Sequence, residues 1–303
     1  MNARHAARRG FTLVELLVVI GIIGILSGVL IGALGGTSES ARSAKCLANM
    51  RNLAVACQSY GMSAGHYPLA ASMEYSVLDE SEGIRRVKSI YRERKGWISW
   101  ASNGAYASKP QSSVANSGWF TSAYVDDDDK ATYCLTNGAL WRYVSNNANV
   151  YRCPVHVKAA ERAKKKVYWS YAMNAFFGGD ASKKCKTMDE NSNGVGYSSL
   201  KRADRRLLFS ELGFLDGIDE STDASDPILQ YKGLSGYGGS TDALAFNHKQ
   251  GKRRCAHVAY ADGHVDRLLM PRNGDVNAEE LLQWLCEGKD ISFDGSRYDK
   301  MTD

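Results

Sequence analysis

Proline is scarce in this chain, 5 among 303 residues, while glycine numbers 29. That balance argues against a Pro-rich disordered chain and suits a turn-rich globular one. The seven cysteines (46, 57, 134, 153, 185, 255 and 286) include no Cys-x-x-Cys pair, which argues against a thioredoxin-type redox site or a zinc ribbon. There is no Walker-type phosphate loop, no His-Glu-x-x-His and no Gly-x-Ser-x-Gly, so the common signatures of nucleotide, zinc-protease and serine-hydrolase chemistry are missing. Gly236–Ser240 is Gly-rich but follows no strand into a helix, and it reads as a loop. Enzymatic activity is therefore not expected.

Length and a hydrophobic content of 44% suffice for one large domain or two small ones. Mean hydropathy is low, −0.35, yet the N-terminus is strongly apolar, so the average hides a greasy start and a water-facing remainder. An odd number of cysteines in an exported domain allows up to three disulfides and one free thiol. Net charge is +5, with the excess gathered at Arg85, Arg86 and Lys88, at Lys164–Lys166 and at Lys252–Arg254. No aromatic platform or helix-turn-helix pattern accompanies these clusters, so they read as solvated surface and nucleic acid is not an expected partner.

The first ten residues hold Arg4, Arg8 and Arg9 and no acid. Phe11 to Leu34 follow as 24 residues with one charge, Glu15. As a helix this run measures roughly 36 Å, against a hydrocarbon core of about 30 Å. It is long enough to span, and the arginines before it orient the C-terminal bulk outward. An ordinary signal peptide has a shorter apolar region ending in a small-x-small site, for which Ala33-Leu34-Gly35 would serve; a plain single-span anchor is the other simple reading. Both leave Glu15 unexplained. A carboxylate in an apolar helix costs roughly 2.5–3.5 kcal/mol on insertion scales, and such a residue usually has a partner and a task.

The string Arg9-Gly10-Phe11-Thr12-Leu13-Val14-Glu15 resembles the signal of type IV prepilins and type II secretion pseudopilins. The resemblance implies cleavage after Gly10 by a membrane peptidase acting on the cytoplasmic side, N-methylation of Phe11, and a role in assembly for Glu15, the fifth residue of the cleaved chain. Cleavage creates an ammonium at Phe11 that Glu15 of a neighbouring subunit can neutralise. Desolvation cancels much of that attraction, so the pair serves as a register device more than as a source of stability. It further implies a bacterial inner-membrane protein with one span and an exported C-terminal domain, free or in a filament. Its partners would be other pilin or pseudopilin subunits, the prepilin peptidase, an inner-membrane assembly platform and membrane lipid. The domain boundaries expected are a leader at 1–10, an assembly helix at 11–65 and a globular domain at 66–303.

Beyond Gly35-Gly36, where a bend or melted turn is expected, Ala44, Leu47, Met50, Ala54, Cys57 and Tyr60 recur at helical spacing. The helix is expected to end near Gly61–Gly65. The fold class is α+β. The pilin resemblance implies one long helix, spanning with its front half, its rear half packed on an antiparallel sheet.

In the remainder, Ser81–Lys95 reads as helical or exposed, and 101–130 as a polar loop ending in Asp126–Asp129. That acidic run suggests calcium as a cofactor but lacks the spaced ligands of a calcium loop, so the default is a solvated tip and no cofactor. Leu140–Val144 is ambiguous; Val150–Pro154, Val167–Asn174 and Arg206–Glu211 read as strands, and 278–286 as a short helix. Asp262-Gly263 is a turn signal between strand-like runs; a two-residue turn would put Tyr260 with Val265 on one face and His264 with Ala261 on the other. Here the resemblance continues, to prepilin-type proteins with a His-x9-Asp-Gly phrase near the end, in Tyr151-Arg-Cys-Pro154, Tyr171-Ala-Met-Asn174 and Ala261-Asp-Gly-His-Val265. The departure is that thirteen residues, not nine, separate His248 from Asp262, which weakens any inherited role for His248. His257, His264 and Asp266 are the candidate metal ligands, too few for a closed site; the plainer reading has them packing or hydrogen-bonding at a sheet surface. Two functional readings remain beside a metalloenzyme: an assembly subunit, its bulk favouring a minor one, or a membrane-tethered binding protein that does not polymerise.

Overall fold

The first helix, α1 (Leu13–Ala64), starts where the sequence supplies its own cap. Thr12 Oγ1 accepts from the Glu15 N–H at 3.3 Å, while the Glu15 carboxylate accepts from the Thr12 N–H and hydroxyl, both at 2.8 Å. This reciprocal pair satisfies donors that a helix start leaves orphaned. The structure is a computed structural model that describes residues 12–70, 73–79, 86–94, 96–99, 128–178, 195–213, 227–229, 231, 243–271, 276–293 and 298–300, with 29–38, 73–79, 86–94, 128–130, 293 and 298–300 given by backbone alone.

The helical backbone continues through Gly35 and Gly36, so no turn melts there. It ends at Ala64, before Gly65 at φ +78°, a left-handed conformation that closes helices. Two compact units divide the chain, Met1–Ala41 and Arg42–Asp303; the division falls inside α1. In the first unit the large apolar side chains from Leu13 to Leu26 are exposed. Among the described residues no helix is long and apolar enough to cross a membrane; of the run 11–34, side chains are described for 12–28.

In the second unit, α1 buries Ser43, Cys46, Asn49, Met50, Leu53, Ala54, Ala56 and Cys57. Met50, Ala54 and Cys57 belong to the expected stripe, but Ala44 is exposed and Leu47 only half-buried. The buried face is rotated toward polar residues because those residues have inward partners. Asn49 Nδ2, for example, donates to the carbonyls of Asn149 and Arg152 at 3.1 and 2.8 Å.

The main sheet has six strands: β3 (Tyr171–Asn174), β4 (Leu207–Glu211), β5 (Ile228–Leu229), β6 (His248–Gln250), β7 (Arg253–Tyr260) and β8 (Val265–Leu269). It is mixed, not purely antiparallel as expected, because β5 lies on the side of β3 away from β4 and runs parallel to β3. β8 occupies one edge of β7. On the other edge β4 pairs with the end of β7 and β6 with its beginning, so the end of β4 and the start of β6 meet. The core of this unit carries fully buried aromatics, among them Trp97, Trp169, Tyr151, Phe177 and Phe209; Trp97 meets Phe209 edge-on at 4.9 Å. Each such side chain contributes about 1.5–3 kcal/mol of burial.

Several local expectations are corrected. Residues within 81–95 form a strand, β2 (Arg86–Arg94), paired antiparallel with β1 (Met73–Asp79). The β-branched Val87 and the aromatic Tyr91 gain cross-strand partners, Leu78 and Ser76, that outweigh local helix signals. Asp128 and Asp129 open α2 (Asp128–Asn137) instead of ending a loop, where acidic residues favour a helix N-terminus; 101–127, with the rest of the acidic run, lie outside the described residues. Val150–Pro154 is no strand: Ala148–Tyr151 make a 3-10 turn capped by Asn147, and Pro154 begins α3 (Pro154–Arg162), its fixed φ suited to a first helical position. Leu140–Val144 resolves into a 3-10 turn at Trp141–Val144. The C-terminal helix α4 (Ala278–Glu287) forms between an Asn277 cap and Gly288 at φ +69°, and β9 (Ile291–Phe293) pairs with β10 (Tyr298–Lys300). Cys46, Cys57, Cys134, Cys153, Cys255 and Cys286 are buried free thiols, and among the described residues no disulfide joins them.

Candidate functional site

The ladder at the β4–β7–β6 junction decides which side chains meet. Tyr171 pairs with Glu211, and His248 with Cys255. One step beyond the Ser210–Val258 pair, Glu211 comes beside His257. Cross-strand neighbours share a face, and residues two apart along a strand do too. Tyr171, Glu211, His257 and His248 therefore emerge on one side of the sheet.

Cys46 and Ser43 of α1 reach the same point. His248 Nε2 is 2.7 Å from Glu211 Oε1, and the Cys46 thiol donates to that oxygen at 2.6 Å. His257 Nδ1 stands 3.7 Å from it, and the rings of His248 and His257 stack with centroids 3.9 Å apart. Ser43 Oγ meets His257 Nε2 at 3.1 Å, Tyr171 OH lies 3.3 Å from Cys46 Sγ, and Cys153 Sγ lies 3.5 Å from His248 Nε2. Glu211, His248 and His257 are sealed from solvent. Glu211 Oε2, His248 Nδ1 and His257 Nδ1 nevertheless have no hydrogen-bond partner.

The electrostatics follow from this geometry. Burial pushes the Glu211 carboxyl up, but the charge and hydrogen bond of His248 outweigh it and hold the group below the usual carboxylate range. Burial alone would neutralise His248; the adjacent Glu211 carboxylate instead raises it to about 10. His257, disfavoured by burial and only partly helped by Glu211, falls to about 4. Burial drives the Cys46 thiol well above its ordinary value. The cluster thus favours charge on Glu211 and His248 and disfavours it on His257 and the Cys46 thiol.

Only His257 of the three candidate ligands joins this cluster. His264 stays outside, its Nδ1 2.6 Å from Asp262 Oδ1 and its ring stacked on Tyr260 at 4.2 Å. Asp266 is exposed and accepts from the Arg267 N–H. The reason is a one-residue difference in the turn. Asp262 Oδ1 accepts from the His264 N–H, Gly263 takes φ +94°, and the loop spans Ala261–Gly263. His264 thereby falls opposite Tyr260 and Val265 opposite Ala259, in place of the Tyr260–Val265 match expected from a two-residue turn. His257 faces Arg267 across the ladder.

His248 gains rather than loses importance from the longer spacing. The added residues build β6 and a tight turn at Gly251-Lys252 into β7, with Gly251 at φ +63°, and His248 sits at the buried start of that hairpin. Cys153 and His156 stand at Cys-x-x-His spacing, but their partners differ: Cys153 meets His248, and His156 Nδ1 meets Ser170 Oγ at 3.0 Å. Glu211 and Cys46 are found only through the fold. The sequence sign of Glu211 is an acid closing the apolar strand Leu207–Ser210; Cys46 carries none beyond lying one position off the expected stripe.

At the N-terminus, Glu15 and Thr12 form the exposed capping box already described, while Gly10 and Phe11 lie outside the described residues. Residues 5–31 match the family model of the prokaryotic N-terminal methylation motif. A stretch of 61 residues is 39% identical to the type II secretion system core protein G of Escherichia coli (strain K12), covering 20% of this chain and 42% of that protein. The chain thus spans less than half the length of that relative. No solved structure matches it. The N-terminal segment is thus similar to that of prepilin and pseudopilin proteins.

Proposed function

We propose that the protein is an assembly subunit, of minor abundance, in a type IV pilus or a type II secretion-like pseudopilus. The observation that carries this is the methylation motif over residues 5–31 at the head of a helix running from Leu13 to Ala64. The peptidase cuts between Gly10 and Phe11, Phe11 is N-methylated, and Phe11–Leu34 passes into the inner membrane and then into a filament core. The exposure of Leu13, Leu16, Leu17, Ile20 and Ile23 supports this, because an apolar surface of that extent calls for lipid or neighbouring helices to cover it. The rear half of α1 then serves as the spine on which the exported sheet domain is carried, as in pilins. Buried contacts from Cys46 to Tyr171 and Glu211 support that arrangement. The chain acts without enzymatic chemistry, and its partners are other pilin-type subunits, the peptidase and the assembly platform.

Gly10 is the residue to test, since a peptidase needs unhindered backbone at the scissile bond. Gly10→Val should accumulate as unprocessed precursor on a gel, migrating above the wild-type product. Normal processing of that variant would count against the reading.

A further inference from the structure

We infer that Cys46, Glu211, His248 and His257 form a closed structural zinc site. The inference is independent of the prepilin reading. Each residue offers one ligand atom, and the four atoms all lie within 4.8 Å of one another in a buried pocket. Tetrahedral zinc with bonds of about 2.0–2.3 Å holds its ligand atoms roughly 3.3–3.8 Å apart. Of the distances to Glu211 Oε1, that from His257 Nδ1, 3.7 Å, lies in this range, while those from Cys46 Sγ and His248 Nε2, 2.6 and 2.7 Å, are shorter and must widen by about 0.6 Å or more to admit an ion.

Three observations point to a ligand. His257 Nδ1, which faces Glu211 Oε1, is buried without a hydrogen-bond partner, and buried polar atoms are seldom left so. The donors crowd instead onto Oε1, where a thiol and an imidazole both converge. Finally, the charges match: one thiolate, one carboxylate and two neutral imidazoles total −2, which a divalent cation cancels in a site sealed from solvent.

The donor set selects the metal. Calcium and magnesium require oxygen ligands, whereas one sulfur and two imidazole nitrogens suit zinc. Four protein ligands leave no open position for substrate, so the site is structural. Ser43 Oγ occupies His257 Nε2 at 3.1 Å, which leaves Nδ1 as the coordinating atom and fixes the ring, as outer-shell partners do. The ion would fasten α1 to β4, β6 and β7 at one point, making folding of the exported domain depend on metal uptake.

The test uses the full chain purified in detergent without chelators. Metal analysis should find about one zinc per chain, as a four-ligand site requires. After chelation, cobalt(II) should restore stoichiometric binding, with the intense visible bands of a four-coordinate ion and a thiolate charge-transfer band. This readout needs no variant and so is not confounded by misfolding. Cys46→Ser and His257→Ala should lose the metal, while His264→Ala and Cys153→Ser keep it; chelation should lower the Tm of the wild type and zinc restore it. Failure of the wild type to hold zinc both as purified and after loading would overturn the site. So would copper in place of zinc, cobalt bound without a thiolate band, or zinc retained by Cys46→Ser and His257→Ala.

Discussion

His248 Nε2 lies 2.7 Å from Oε1 of Glu211, and both side chains are sealed from solvent. The two come from separate strands, β4 and β6, that meet end to end along β7. Removing one partner of a buried pair strands the other, at a cost of about 3–5 kcal/mol. Glu211→Ala should therefore lower the urea midpoint by that equivalent, and Glu211→Gln by less, since its amide oxygen still accepts. A loss below about 1 kcal/mol for the alanine variant, within the range of an ordinary surface change, would show that the pair does not hold the strands together.

His156 supplies a pH dependence. Burial lowers it from 6.5 to about 4, with the Glu211 charge opposing. Its folded value is thus below its unfolded one, and the unfolded chain takes up the proton first. The stability it contributes is present above pH 6.5 and drains away as pH falls toward 4, amounting to at most about 3 kcal/mol. Urea unfolding of the wild type should weaken more steeply across that window than unfolding of His156→Gln. Parallel pH profiles would contradict this account of the ring.

Glu15 is assigned two tasks that a pair of variants separates. Glutamine also completes a capping box, so Glu15→Gln keeps the helix start but loses the charge, while Glu15→Ala loses both. Hydrogen exchange in micelles should show the Thr12 amide protected in the glutamine variant and faster in the alanine variant. Both should fail to enter filaments. Assembly of Glu15→Gln at the wild-type level would show that charge is not the assembly device.

The sequence reveals most where a signal is local. Asn277 and Gly288 mark α4, Asp262-Gly263 marks a turn, and Phe11–Leu34 marks an apolar helix through composition alone. Misreadings occur where a distant partner decides. The strand at Arg86–Arg94 depends on Met73–Asp79, and the inward face of α1 is set by His257 and Glu211, more than 160 residues on. Of the candidate site, His257 was visible because it sits among other histidines and acids. Cys46 and Glu211 were not, since nothing in a helix stripe or an apolar strand announces that they meet.

The processing of the N-terminus bears on the central claim most directly. Intact mass and N-terminal sequencing of the protein from its native membrane fraction should give a chain beginning at N-methylated Phe11. A chain beginning at Met1, or beyond Ala33, would contradict the prepilin pathway and leave a plain anchor or a secreted domain.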